Sequence, residues 1–148
     1  MKIKIGSELK ARFLANTPGL RAFRNAVSDR VTTRGHLVGL DGRPLTIRKK
    51  HAAVNTLLQS AGAILCKRWI VATEKRLITE GLRHGWDGDF TMLAWVHDEL
   101  QTATPSQALA DHVARVAVEE TTKAGEYFNF GCPLAGEAKT GLNWSETH

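Results

Sequence analysis

The chain has 148 residues and a mass of 16.3 kDa, the size of a single domain, and its 43% hydrophobic and 24% charged residues are ordinary for a globular protein. A net charge of +5 and a pI near 9.5 point towards a polyanionic partner, although a solvated surplus of Lys and Arg gives the same figure. No stretch reaches the roughly 18 apolar residues of a membrane span, Met1–Gly6 lacks the apolar core of a signal peptide, and Cys66 and Cys132 follow no metal-ligand spacing, reading as buried, reduced thiols of a cytoplasmic protein.

From Ser7 to Arg30 the pattern predicts helix, with Ser7 as N-cap and Leu9, Phe13, Leu14 and Phe23 as a partial apolar stripe, broken at Pro18. Gly35–Ile47 reads as a hairpin about a two-residue Asp41-Gly42 turn, followed by the basic run Arg48-Lys49-Lys50. The longest helical signal runs from His51 to Arg83, with Leu58, Ala61, Leu65 and Ala72 recurring at helical spacing and Gly81 and Gly85 as stop signals. A loop at Trp86–Asp89 precedes a second hairpin, Phe90–Val96 and Glu99–Ala103. Thr104 and Pro105 open a helix whose face is Leu109, Val113, Val116 and Ala117, and Gly125 ends it. A glycine-rich tail with a short strand before Trp144 completes the order, and the four tryptophans are assigned to packing. Helices and hairpins in succession predict an α+β fold, with helices on one face of antiparallel strands.

Two constellations can carry chemistry. His51, Asn55 and Gln59 lie at i, i+4 and i+8, drifting about 40° per step, and so form one polar stripe beside Arg48, Lys49 and Lys50. Amide donors on such a stripe suit the acceptors of a nucleic-acid minor groove, and Gly62 one turn further on leaves room for a backbone or sugar. A plain solvated helix face has the same pattern. The second is His97-Asp98-Glu99, where an apolar strand breaks at a tight turn. Phosphoryl transfer through two divalent ions about 4 Å apart needs carboxylates, usually from separate segments, and Mg²⁺ takes oxygen ligands while keeping waters. Neighbours in extended chain point to opposite faces, so Asp98 and Glu99 do not chelate one ion together in a regular strand. The apolar flanks favour burial of the turn, whereas an ordinary polar hairpin tip is the competing reading. Asp87-Gly88-Asp89 reads as a plain turn, and no phosphate loop, zinc spacing or nucleophile elbow is present.

Several separated segments, in order, resemble the C-terminal part of family A DNA polymerases of T7-like phages. They are Gly39–Arg43, His51–Ala63, His84–Phe90, Val96–Glu99 (which is similar to motif C) and Asn143–His148. The resemblance runs from about Ser7 onward. It implies a partial polymerase palm over residues 1–148 as a single domain, with antiparallel hairpins packed with one long and two or three shorter helices. It implies that Asp98 binds metal, that Glu99 supports the metal site and primer end, and that His97 lies near the primer terminus. Asn55 and Gln59 would sense the minor groove near the new base pair, His51 would stand where many relatives carry Arg, and Arg43 and Arg48 would reach the DNA backbone. The implied cofactor is Mg²⁺ in a two-metal site only partly supplied by these residues.

Motif A, an Asp-x-Ser-x-x-Glu strand, has no match here, nor does the fingers helix that binds the incoming triphosphate, and Met1–Gly6 fits none of the motifs. The expectation is a polymerase portion that is inactive alone, acting on primer-template DNA. It would use deoxynucleoside triphosphates only with a second polymerase fragment carrying motifs A and B. Location would be cytoplasmic (the host cytoplasm if phage-encoded), with no membrane partner. A non-catalytic duplex-binding palm remnant and an inert remnant are the alternatives.

Overall fold

A computed structural model describes residues 2–147; Met1, and His148 at the end of the Asn143–His148 segment, lie outside the described residues. Two helices come first, α1 (Lys2–Asn16) and α2 (Pro18–Arg34). Proline sets the break, because Pro18 lacks an N–H and suits the first turn of α2. Ser7 is not an N-cap. The residues before it include no proline, and α1 continues through them to Lys2. At the other end of α2, Gly35 adopts φ 73° and donates its N–H to Val31 O, the left-handed cap for which glycine carries no Cβ penalty.

Strands β1 (His36–Val38) and β2 (Pro44–Thr46) pair antiparallel, with Val38 opposite Pro44. The expected two-residue turn is instead the five residues Gly39–Arg43. Gly42 N–H bonds Gly39 O at 3.0 Å and sits at φ 82°, and Gly39 N–H bonds Arg43 O at 2.8 Å. The Asp41 carboxylate accepts from the Arg43 backbone N–H and pairs with its guanidinium. A short 3-10 turn, Lys50–Ala52, leads into α3 (Ala53–Thr79).

The C-terminus of α3 is a Schellman motif: Gly81 N–H bonds Ile78 O, Leu82 N–H bonds Leu77 O, and Gly81 takes φ 95°. The helix therefore stops before Arg83. The following loop is held by Asp89, which accepts from the Arg83 backbone N–H at 2.9 Å. A Cβ on Gly88 would lie 2.3 Å from Arg83 O, so the loop requires glycine there. Strands β3 (Thr91–Val96) and β4 (Glu99–Ala103) form a second antiparallel pair with an irregularity between Met92 and Ala94.

Helix α4 (Gln107–Tyr127) starts at Ser106, whose hydroxyl accepts from Leu109 N–H, rather than at Thr104, whose hydroxyl bonds Ser106 O. Gly125 does not end α4. It lies in the last turn, where a Cβ would meet Leu134 at 3.0 Å, so its bareness admits the tail. The expected strand before Trp144 is absent among the described residues; a short helix, α5 (Trp144–Thr147), stands there, its Glu146 side chain accepting from Leu142 N–H at 2.8 Å.

The chain divides into two compact units, residues 1–60 and 61–148. In the first, Val27, Val31, Leu37 and Ala53 are buried, with Leu45, Ile47, Val54 and Leu57 packed against them. In the second, Leu77, Phe90, Val113 and Val116 form the core, joined by Leu82 and Met92. Both strand pairs thus rest their apolar positions on helices, the α+β arrangement expected from the alternation of signals. Leu58, assigned to the apolar stripe of α3, is 57% exposed. Tryptophan assignments also divide: Trp69 donates to Ala117 O at 2.7 Å, whereas Trp86 and Trp144 are largely exposed. Cys66 is half-buried and Cys132 exposed, contrary to the expectation of two buried thiols. Among the described residues no helix is long and apolar enough to cross a membrane.

Candidate functional site

The His97-Asp98-Glu99 segment lies at the tip of the β3–β4 hairpin. Val96 pairs with Glu99, which leaves His97 and Asp98 as a two-residue turn. His97 takes φ 56°; the only other described non-glycine residue at positive φ is Asn129. The sign pattern is that of a type II′ turn, which suits the twist of a hairpin but strains a side-chain-bearing residue at its first position. Trp95 stabilises the turn by donating its indole N–H to His97 O at 2.6 Å.

All three residues are exposed, which corrects the expectation of burial. A two-residue turn projects beyond the last strand pair, so the apolar flanks Trp95 and Val96 do not cover it; they are themselves 40% and 48% exposed. Glu99 accepts from the Gln101 side-chain amide at 2.9 Å. The Asp98 carboxylate makes no hydrogen bond or ion pair among the described residues, leaving its oxygens open to a ligand.

Asp98 also acts on its surroundings. The Cys66 thiol on α3 is pushed up from its usual range, first by burial and then by the negative charge of Asp98. The hairpin tip therefore lies within electrostatic reach of the middle of α3.

His84, which sequence reasoning passed over as a site residue, fixes the start of the hairpin. Its Nδ1 lies 2.6 Å from a Glu74 carboxylate oxygen, and its Nε2 lies 3.3 Å from Met92 N. The Met92 N–H can only donate, so Nε2 accepts and Nδ1 carries the proton given to Glu74. The ring stacks on buried Phe90 with centroids 4.8 Å apart. Its one sequence signal was its place in the His84–Phe90 segment; Glu74, ten residues upstream, gave none.

In the unit of residues 1–60, His51, Asn55 and Gln59 are all exposed. His51 lies in the 3-10 turn, while Asn55 and Gln59 lie one turn apart on α3. The two amides make no hydrogen bond among the described residues, so their donors face solvent. Arg48 and Lys49 are exposed beside them, and Lys50 donates to Thr32 at 3.2 Å. Arg43 is placed differently: its guanidinium is engaged by Asp41 within the turn. Desolvation works against ionisation of Asp41, but the side-chain and backbone hydrogen bonds from Arg43 outweigh it and hold the carboxyl below its usual range.

An exposed carboxylate without a competing partner suits a hard divalent cation. Among the described residues, no group of three or more His, Cys, Asp and Glu could hold a metal ion. Asp98 thus fits as one donor of a larger set and falls short of a complete set by itself.

The family model for DNA polymerase family A matches residues 1–146. The DNA-directed DNA polymerase of Enterobacteria phage T3 is 45% identical, the match covering 97% of this chain and 22% of the phage enzyme. That of Escherichia phage T7 is 43% identical with the same coverage. Among solved structures, the POL domain of Pol1 from M. smegmatis in complex with DNA primer-template and dNTP has a similar fold. Its TM-score is 0.64 at 20% identity, covering 82% of this chain and 21% of that one. The chain spans about a fifth of the length of the curated relatives it matches. A family match over nearly every residue, together with phage relatives above 40% identity, establishes that the chain belongs to DNA polymerase family A.

Proposed function

We propose that residues 1–148 form a partial palm domain that supplies the motif C carboxylate and the primer-template minor-groove contacts of a DNA-directed DNA polymerase. Nucleotidyl transfer would require a second chain carrying motifs A and B. The observation that carries the reading is the exposed Asp98 carboxylate at a two-residue hairpin tip, without a hydrogen bond or ion pair among the described residues, in a chain of this family.

Asp98 is the metal-binding residue in this reading. Glu99, steadied by Gln101, supports the primer end, and His97 lies beside the primer terminus. Asn55 and Gln59 donate to minor-groove acceptors, which every base pair presents, so they test the shape of a pair without reading its identity. Arg48 and Arg43 contact the DNA backbone, Arg43 after exchanging Asp41 for phosphate, and His51, where many relatives carry Arg, lies among the DNA-binding residues. Asp98 would hold Mg²⁺ as one donor among others from a second chain, and the ion would supply positive charge near the primer hydroxyl and the leaving pyrophosphate. Primer-template DNA and deoxynucleoside triphosphates are accordingly the proposed substrates, and the cytoplasm, that of the host for a phage enzyme, the proposed location.

The test is reconstitution. The chain is mixed with a polypeptide carrying motifs A and B, and Mg²⁺-dependent primer extension is measured. Loss of one metal carboxylate costs several kcal/mol of transition-state stabilisation, so Asp98→Asn is expected to slow extension by roughly a thousandfold. Retention of extension by Asp98→Asn removes the assignment. A second reading, a non-catalytic duplex-binding remnant, rests on the exposed Asn55 and Gln59 amides beside Arg48 and Lys49, which need no metal donor. It predicts duplex binding with no extension under any combination of partners.

A further inference from the structure

Helix α1 presents a row of large apolar side chains to solvent. Ile5, Leu9 and Phe13, at i, i+4 and i+8, are 50%, 59% and 60% exposed. None of the described side chains of α1 is buried, and Leu14 alone of its large apolar residues beyond this row is half-buried. A 15-residue helix gains most of its stability from packing an apolar face, and here half or more of that face stays open to solvent among the described residues. At about 100° per residue, Arg12 falls beside Ile5 at one edge of the row and Lys10 beyond Phe13 at the other. Neither cation makes an ion pair among the described residues.

We propose that the Ile5-Leu9-Phe13 face of α1 is the docking surface for the part of a family A polymerase that these 148 residues do not match. The complementary surface is an apolar helix or sheet face edged by carboxylates that meet Lys10 and Arg12. This rests on the proposed function and gives its partner a place to bind.

Two observations select this occupant. The phage T3 and T7 relatives match 97% of this chain, yet the match covers only 22% of each; each therefore joins a large additional mass of polypeptide to the segment that matches this chain. Second, residues 1–60 hold twelve Lys and Arg against three Asp and Glu. A surplus of nine positive charges opposes pairing of this face with a second copy of itself.

The test uses the full chain and, as probe, a polypeptide comprising the phage T3 polymerase without its matched segment. Affinity is measured by fluorescence anisotropy with labelled full chain, wild type or carrying Leu9→Gln and Phe13→Gln. The double variant is expected to bind at least about tenfold more weakly. Its helical circular dichroism and thermal midpoint should stay close to the wild type, because most of the Leu9 and Phe13 surface is already in solvent in the free chain; Phe13→Leu should keep the affinity. Equal binding by wild type and double variant, or no binding by either, overturns the proposal. So does sedimentation equilibrium showing a wild-type dimer that the double variant loses, or selective loss by that variant of binding to anionic phospholipid vesicles. Primer extension separates the two readings. Undiminished docking and extension in the double variant, with loss in Asp98→Asn, removes the docking surface and leaves the proposed function. Docking sensitive to the double variant, with extension insensitive to Asp98→Asn, does the reverse.

Discussion

At Cys66 two effects act in the same direction, and one of them can be removed. Burial on α3 disfavours the thiolate, and the charge of Asp98 disfavours it further, so the thiol is held above its ordinary value near 9.0. Asp98→Asn abolishes the second effect and leaves the first, so the thiol should ionise at lower pH than in the wild type while staying above the unperturbed value. The rate of alkylation by iodoacetamide against pH, in a Cys132→Ser background, reads this directly, because the thiolate is the nucleophile. A divalent cation held by Asp98 acts with the same sign. Adding Mg²⁺ should shift the alkylation profile to lower pH in the wild type and leave Asp98→Asn where it was. An Asp98→Asn profile that coincides with the wild type removes the coupling between the tip and the helix; a Mg²⁺ shift surviving in the variant places the ion elsewhere.

The elements show which signals a sequence carries and which it loses. Both hairpins, the break at Pro18 and the α4 face of Val113 and Val116 were legible, because proline geometry and periodicity are local. The α4 N-cap and the length of the first turn were not, since they depend on which of several neighbouring polar groups wins a hydrogen bond: Ser106 rather than Thr104, a five-residue loop rather than Asp41-Gly42. The polar stripe of Asn55 and Gln59 was legible from spacing, but exposure of the Asp98 turn was misread, because flanking apolar residues report on the strands and say nothing of what projects beyond them. The Glu74–His84–Met92 chain was invisible, being a meeting of three segments. A similar long-range effect leaves Thr73 fully buried on α3 with its hydroxyl unpaired among the described residues. Valine has nearly the same shape and no group to desolvate. Thr73→Val is therefore expected to stabilise the fold by about 1 kcal/mol, measurable as a raised denaturant midpoint at unchanged slope; a lowered midpoint would mean that the hydroxyl is satisfied in solution.

The net charge of +5 is a difference between unlike parts. Residues 1–60 carry twelve basic against three acidic side chains, and residues 61–148 carry eight against twelve. A mildly basic whole thus contains a strongly basic unit bearing the Asn55 and Gln59 stripe and an acidic unit bearing the Asp98 turn. Affinity for duplex DNA should therefore arise from the first unit, and its salt dependence should reflect the phosphates which that unit neutralises. Each phosphate left without its cation flattens the slope of log K against log salt by about 0.9, so replacing Arg48, Lys49 and Lys50 together by alanine should flatten it by roughly two to three. Asn55→Ala and Gln59→Ala should weaken binding without changing the slope, since neutral amides release no counterions. Asp98→Asn, in the acidic unit, should leave the slope unchanged even where it abolishes primer extension. Anisotropy titrations of a labelled duplex over a range of salt concentrations separate these outcomes. A slope that responds to Asp98→Asn and ignores the basic run would move the nucleic-acid interface away from residues 48–59.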